Sequence, residues 1–248
     1  MKFADDIVFG RKPVEELLGT NRTIDKILLE QKMSGPFEKE IRQYAKNNKI
    51  PLSKVPQNKL DKLSGFKNHQ GIVVFTTAIQ FYELEDVLQH SFEQGKVPFF
   101  LILDNITDVR NIGAIARSAH WFGVDAIVYS LKNAAALNST AVKISAGALL
   151  ELPVCRVSSI IKALEYLKQS GLQIVGTDVS KETFSKKEAF IGPLAIVMGS
   201  EEKGMSREVS ALCDALMHIP GKGNIDSLNV SVATGVVLYE VFKTRTEQ

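Results

Sequence analysis

The stretch HIPGKGNIDSLNVSVATGVVLYE, residues 218–240, is the part of the sequence on which the fold turns. A short apolar strand, Ala215–Ile219, runs into Pro220 and a glycine-rich loop. Ser227 then stands where a hydroxyl oxygen can accept a backbone N–H from the first turn of a helix. In the helix that follows, Leu228, Val230, Val232, Val236, Val237, Leu238, Tyr239 and Val241 cover more than one face. A helix packed on one side needs a single apolar stripe, so this one is expected to be buried on most sides and to meet another subunit.

Two further constellations lie upstream. In IVMGSEEKGM, residues 196–205, an apolar strand enters a turn whose two glycines let backbone groups face a ligand. The spacing fits neither a Walker A loop nor G-x-G-x-x-G. In LDNITDVRNIGAIARSA, residues 103–119, a strand ends at Asp104, a polar loop follows, and a helix is expected from about Asn111. On that helix Ile112, Ile115, Ala119 and Phe122 form an apolar stripe, with Arg110, Gly113 and Arg117 on the opposite side. Its small residues would let a backbone or ligand come close. Taken singly, each constellation also reads as something plain: a capped helix, a turn, an amphipathic helix with its arginines in water.

The elements around them alternate. Phe99–Asp104, Ala126–Ser130, Val154–Val157, Leu172–Thr177, Leu194–Gly199 and Ala215–Ile219 are strand candidates with helical stretches between most of them. Such alternation predicts a largely parallel sheet with ligands at the carboxyl ends of its strands. A smaller α/β unit precedes it: a helix from Pro13 to Gly19, strands at Lys26–Glu30, Pro51–Val55 and Gly71–Ile79, and a helix over Phe37–Asn47. The expected division is residues 1–79, a linker and helix over 80–97, and a second domain over 98–248.

The 248 residues are 45% apolar, enough for a sizeable core, and carry a net charge of +2. The charge is uneven. Residues 1–79 hold 14 Lys/Arg against 9 Asp/Glu, and the remainder 16 against 19. That excess suits an N-terminal RNA contact as well as a solvated lysine surface. Two cysteines give no disulfide framework, and four scattered histidines give no metal-ligand spacing. The start is acidic where a signal peptide would be basic, and no apolar run reaches membrane-spanning length, which predicts a cytoplasmic protein with reduced thiols.

Together and in this order, the three constellations resemble those of the SpoU branch of the SPOUT RNA methyltransferases, from about Phe99 to Phe242. Val8–Leu18 (VFGRKPVEELL) and Asn68–Val74 (NHQGIVV) resemble that family's substrate-binding domain, which is similar to an RNA-binding ribosomal protein. The likeness is nearest to the guanosine 2′-O-methyltransferases of large-subunit ribosomal RNA. It implies an α/β fold whose C-terminal domain has a mostly parallel sheet and a deep trefoil knot, beside a small N-terminal α/β domain. It also implies a homodimer, S-adenosylmethionine as cofactor and RNA as substrate, with no metal. Three positions depart from the family pattern: Val109 replaces a proline, Glu202 a glycine and Gly221 a methionine.

The resemblance places the cofactor against Gly199, Ile219 and Leu228, with Thr177 and Ser200 beside them, largely through backbone groups. It makes Arg117 the catalytic arginine, either a general base or a clamp on the RNA phosphate; a guanidinium resists deprotonation, which favours the clamp. Asn111 and Glu201 would brace Arg117 or the loops, and Ser227 and Asn229 would order the knot and contact ribose. Other readings stay open: a non-catalytic RNA-binding or ribosome-assembly protein, or the same chemistry on transfer RNA or an antibiotic-target site. A dinucleotide enzyme is disfavoured, because the turn after Asp104 lacks the glycine pattern such a fold needs.

Overall fold

The computed structural model describes residues 7–131, 137–178, 187–222 and 227–247. The chain forms two compact units. The first runs to Ile79, with Leu137–Ser139 grouped to it, and the second takes the rest from Gln80.

In the first unit the elements are β1 (Ile7–Phe9), α1 (Arg11–Leu18), β2 (Thr23–Glu30), α2 (Pro36–Asn47), β3 (Leu52–Val55), α3 (Gln57–Leu63) and β4 (Ile72–Thr77). The sheet order is β1-β4-β2-β3, with β2 and β3 parallel and the other pairs antiparallel. β4 reads IVVFTT and β2 TIDKILLE; both are rich in β-branched and apolar residues, which suit a strand covered on both sides. One face packs Val14, Leu17, Ile41 and Ala45 of α1 and α2 against Ile27, Leu29, Ile72 and Val74. The other packs Leu60 of α3 against Leu28 and Val73.

The second unit holds β5 (Phe81–Tyr82), α4 (Leu84–Glu93), β6 (Phe99–Leu103), α5 (Val109–Trp121), β7 (Ala126–Ser130), α6 (Ser139–Ile144), β8 (Val154–Val157), α7 (Ile160–Gln169), β9 (Gln173–Thr177), β10 (Leu194–Met198), α8 (Arg207–Ser210), β11 (Ala215–Met217) and α9 (Val230–Thr246). Seven strands lie in the order β11-β9-β10-β6-β7-β8-β5, and every pairing is parallel. β6 (FFLIL) and β10 (LAIVM) are buried along their whole length, the pattern of central strands covered on both faces. From β6 the chain builds β7 and β8 to one side and later returns to lay β10 and β9 on the other. The order therefore reverses between β6 and β10, which is where open α/β sheets leave a crevice at their carboxyl ends.

Three expectations change. Residues 80–97 are more than a connector and helix, because Phe81–Tyr82 pairs with β8 as the edge strand. α5 starts at Val109 rather than near Asn111, with the Asp108 carboxylate accepting the Arg110 N–H at 2.6 Å. Gly113 does not face outward with Arg110 and Arg117. It is buried under α6, where a Cβ would sit 2.9 Å from Ile144 and 3.0 Å from the Ala141 carbonyl. Within the single chain α9 buries one face, through Val230, Thr234, Val237, Leu238 and Val241, while Val232, Val236, Tyr239 and Phe242, the face for which another subunit is expected, stay exposed.

The buried face of α9 lies on α5, and its last turn is anchored. The Arg245 guanidinium donates to the carbonyls of Phe190 (2.7 Å) and Gly192 (2.8 Å) and stacks over the Phe99 ring. Segments 179–186 and 223–226, which a trefoil crossing would involve, lie outside the described residues. Among the described residues no helix is long and apolar enough to cross a membrane.

Candidate active site

The site begins at the carboxyl end of β6. Asp104 is 5% exposed, and its backbone N–H still belongs to the sheet, donating to the Met198 carbonyl at 2.9 Å. Its carboxylate accepts the Ser206 N–H at 2.8 Å and the Asn105 side-chain amide at 2.9 Å. One buried acid thus ties the end of β6 to the far end of the loop that follows β10. That loop closes on itself: Ser200 and Gly204 exchange backbone hydrogen bonds of 3.1 and 2.9 Å, with Gly204 at φ 64°. The turn passes so close to its own start that a Cβ on Gly199 would lie 2.2 Å from the backbone of Gly204 and Met205. Only glycine fits there.

The closed loop presents Glu201 to two helix starts. One carboxylate oxygen, Oε1, accepts the Asn111 side-chain amide at 3.2 Å, the Asn229 side-chain amide, and the Val230 backbone N–H at 2.9 Å. Asn229 also donates to Asn111 Oδ1 at 3.1 Å. Its own Oδ1 accepts the N–H groups of Ser231 (3.0 Å) and Val232 (3.4 Å), so Asn229 is the N-cap of α9. The carboxylate faces an exposed helix N-terminus, where negative charge is favoured. In this way Asn111, Glu201 and Asn229, separated by 90 and 28 residues, form one hydrogen-bonded cluster.

Ser227 is exposed and does not cap α9. A serine hydroxyl can serve as an N-cap, but the helix starts two residues later because Asn229 is pinned by Glu201. Asn111 and Glu201 hold each other and the start of α9, and neither bonds to Arg117. Arg117 stands six residues beyond Asn111 on α5, about 9 Å further along the axis. It is exposed, and among the described residues it makes no hydrogen bond or ion pair.

Thr177 ends β9, and Gly199 and Ile219 follow the carboxyl ends of the neighbouring β10 and β11, so the three line one edge of the sheet. Thr177 Oγ1 donates to the Val197 carbonyl at 3.0 Å, which joins two of those ends. Ser200 opens the closed loop, and Lys203 N–H reaches its hydroxyl at 3.3 Å. Leu228, 47% exposed, precedes the α9 cap. Among the described residues no group of three His, Cys, Asp or Glu could hold a metal ion. Sequence reasoning passed over Asp104 and Asp108. The only local signal was an acid at a strand end and another just before a helix.

Residues 98–239 match the model of the SpoU rRNA Methylase family, and residues 7–82 match that for RNA 2'-O ribose methyltransferase substrate binding. A Bacillus subtilis protein, YacO, provisionally named a TrmH family tRNA/rRNA methyltransferase, is 38% identical over 241 residues, 97% of this chain and 96% of the relative. Among solved structures, the Streptomyces viridochromogenes SpoU methyltransferase AviRb, in complex with the cofactor AdoMet, superposes with a TM-score of 0.61. It is 23% identical and covers 98% of this chain and 91% of its own, a likeness of fold. The A. aeolicus TrmH/SpoU tRNA modifying enzyme is 32% identical with a TM-score of 0.56, over 66% of this chain and 85% of its own. The chain belongs to the SpoU, or TrmH, family of RNA methyltransferases, enzymes that draw their methyl group from S-adenosylmethionine.

Proposed function

We propose that this enzyme methylates a ribose 2′-hydroxyl of RNA, on a guanosine of large-subunit ribosomal RNA. The observation that carries the reading is the Asn111–Glu201–Asn229 cluster. It fixes the start of α5, the loop after β10 and the start of α9 against one another at the crevice where the strand order reverses.

Bound along the edge formed by Thr177, Gly199, Ser200, Ile219 and Leu228, S-adenosylmethionine supplies a methyl group already activated for transfer. The protein must then align the hydroxyl and manage its proton. Arg117, exposed on α5 and without a protein partner among the described residues, is disposed to take the RNA phosphate by paired N–H donors and so orient the hydroxyl, whose proton would be lost with that phosphate's assistance as the O–CH3 bond forms and the S–CH3 bond breaks. A guanidinium does not readily give up its proton, which supports this role over that of a base. Asn111, Glu201 and Asn229 act on the loops rather than on the reacting atoms. Ser227, exposed beside them, contacts ribose.

The first unit would bind the RNA, supported by the substrate-binding match over residues 7–82 and by its excess of Lys and Arg. Val232, Val236, Tyr239 and Phe242 recur at helical spacing along the exposed face of α9, the pattern of a face that meets a second copy of the chain. A homodimer buries it, and light scattering on the purified protein reads the mass directly. The trefoil knot belongs to the same reading, supported by the fold shared with solved relatives.

The test is Arg117→Ala. Calorimetry with S-adenosylmethionine should show unchanged affinity, while methyl transfer falls by about 100-fold or more. Near-normal turnover sinks the assignment. Mapping 2′-O-methyls in cells with and without the gene identifies the target. Loss from transfer RNA instead would move the substrate to that of the A. aeolicus tRNA modifying enzyme.

A further inference from the structure

The first unit carries an open cleft of about 770 Å3, lined by Arg11, Lys32, Phe66, Lys67, Asn68 and Gln70 among others. Phe66 is the anomaly in it. The residue is 82% exposed, and its backbone lies in the left-handed region at φ 61°. An apolar ring is stabilised by burial, and a Cβ disfavours that backbone region, so both features oppose what this side chain does by default.

The surrounding loop enforces the conformation. The Phe66 N–H donates to the Asp61 carbonyl at 2.7 Å, and the Ser64 hydroxyl reaches the carbonyls of Asp61 (3.2 Å) and Lys67 (2.9 Å). His69 is buried; its Nδ1 accepts the Gly71 N–H at 3.0 Å, which leaves Nε2 to donate to Asp61 Oδ1 at 3.0 Å. Gln70 Oε1 accepts the Arg11 N–H at 2.7 Å, and Asn68 Oδ1 accepts the Gln70 N–H at 3.3 Å. Both amide oxygens are thus engaged. Among the described residues the NH2 groups of Asn68 and Gln70 have no hydrogen-bond partner. Strain held this firmly around an exposed ring is the kind found at ligand-binding sites.

We propose that this cleft receives one unpaired RNA nucleotide, its base stacked on the Phe66 ring. The proposal rests on RNA being the substrate. The amide NH2 groups of Asn68 and Gln70 hydrogen-bond acceptors on the edge of the base, and Arg11, Lys32 and Lys67 flank its phosphates. Three cations line the cleft against the carboxylates of Glu30 and Asp61, and Asp61 is already engaged by His69. That balance favours an anionic chain over a neutral or basic one, and the exposed ring beside amide donors favours a base-bearing phosphodiester over an acidic peptide. A paired base keeps its faces inside the helix, so the ring selects a nucleotide splayed out of a loop or bulge.

The test uses the whole protein, fluorescence anisotropy, and two labelled RNAs of equal length: a hairpin with a single-stranded loop, and a blunt duplex. Phe66→Gly removes the ring and also relieves the left-handed strain. It should weaken hairpin binding about ten-fold or more, as loss of one stacked base does. Duplex affinity and S-adenosylmethionine binding stay unchanged, and the melting temperature rises. Phe66→Tyr, which keeps a ring, should bind like wild type. The proposal is overturned if Phe66→Gly binds the hairpin normally, loses both RNAs equally, or loses binding together with a fall in melting temperature. Wild-type protein that binds S-adenosylmethionine and neither RNA would overturn the RNA-substrate reading, and this proposal with it.

Discussion

Asp104→Ala should damage the site without touching a ligand. The carboxylate is 5% exposed and accepts two hydrogen bonds, from Ser206 N–H and the Asn105 amide. Asn105 can turn its amide toward water. The Ser206 N–H cannot, because its position is set by the closed loop before it. Leaving that donor unpaired and deleting a charge-assisted bond costs about 2–3 kcal/mol. In a chain of this size each kcal/mol lowers the melting temperature by roughly 2–4 °C, so the expected drop is about 4–12 °C. The same loop carries Gly199, so S-adenosylmethionine affinity should fall by about ten-fold, equivalent to about 1.4 kcal/mol. Asp104→Asn keeps an oxygen for Ser206 and should recover most of both losses. Differential scanning calorimetry and titration calorimetry on the three proteins read the two quantities. A melting temperature within about 1 °C of wild type for Asp104→Ala, with unchanged cofactor affinity, would refute the claim that this acid sews β6 to the loop.

Asn229→Ala should cost about 1–2 kcal/mol as a lost helix cap, whereas Ser227→Ala should leave the urea midpoint unchanged; equal effects would overturn the cap assignment. Burial pushes the Cys155 thiol up to about 12, with the nearby carboxylates of Glu83, Glu85 and Asp86 adding to it. In the unfolded chain the same thiol ionises near pH ~8.5. Its contribution to stability is therefore complete below that pH and is lost as pH rises toward 12. Cys155→Val should flatten the decline of the urea midpoint above pH ~8.5 relative to wild type, and folded wild-type protein should resist thiol reagents at Cys155.

β7 and β8 were legible to the residue, because short β-branched runs bounded by turn signals admit little else. The edge strand Phe81–Tyr82 was not: two residues carry no period, and only pairing with β8 makes them a strand. Ser227 and Asn229 are both able caps two residues apart. The choice between them is made by Glu201, 28 residues upstream of Asn229, which no local pattern contains. Gly113 fell on the polar side of the wheel and is buried nonetheless, because α6 packs where the wheel showed arginines. The motif residues could be recognised by order and type, whereas the bonds among them are long-range and belong to the fold.

Asn111 finds its partners 90 and 118 residues later in the chain. At a synthesis rate of about 5–20 residues per second, Asn229 leaves the ribosome roughly 6–24 seconds after Asn111. β6, α5 and β7 can collapse in that interval, but the crevice has no Glu201 or α9 to close it. On the proposed function, a nascent chain whose first unit is already folded would hold RNA before it could modify any, and competence would arrive only when the final helix docks.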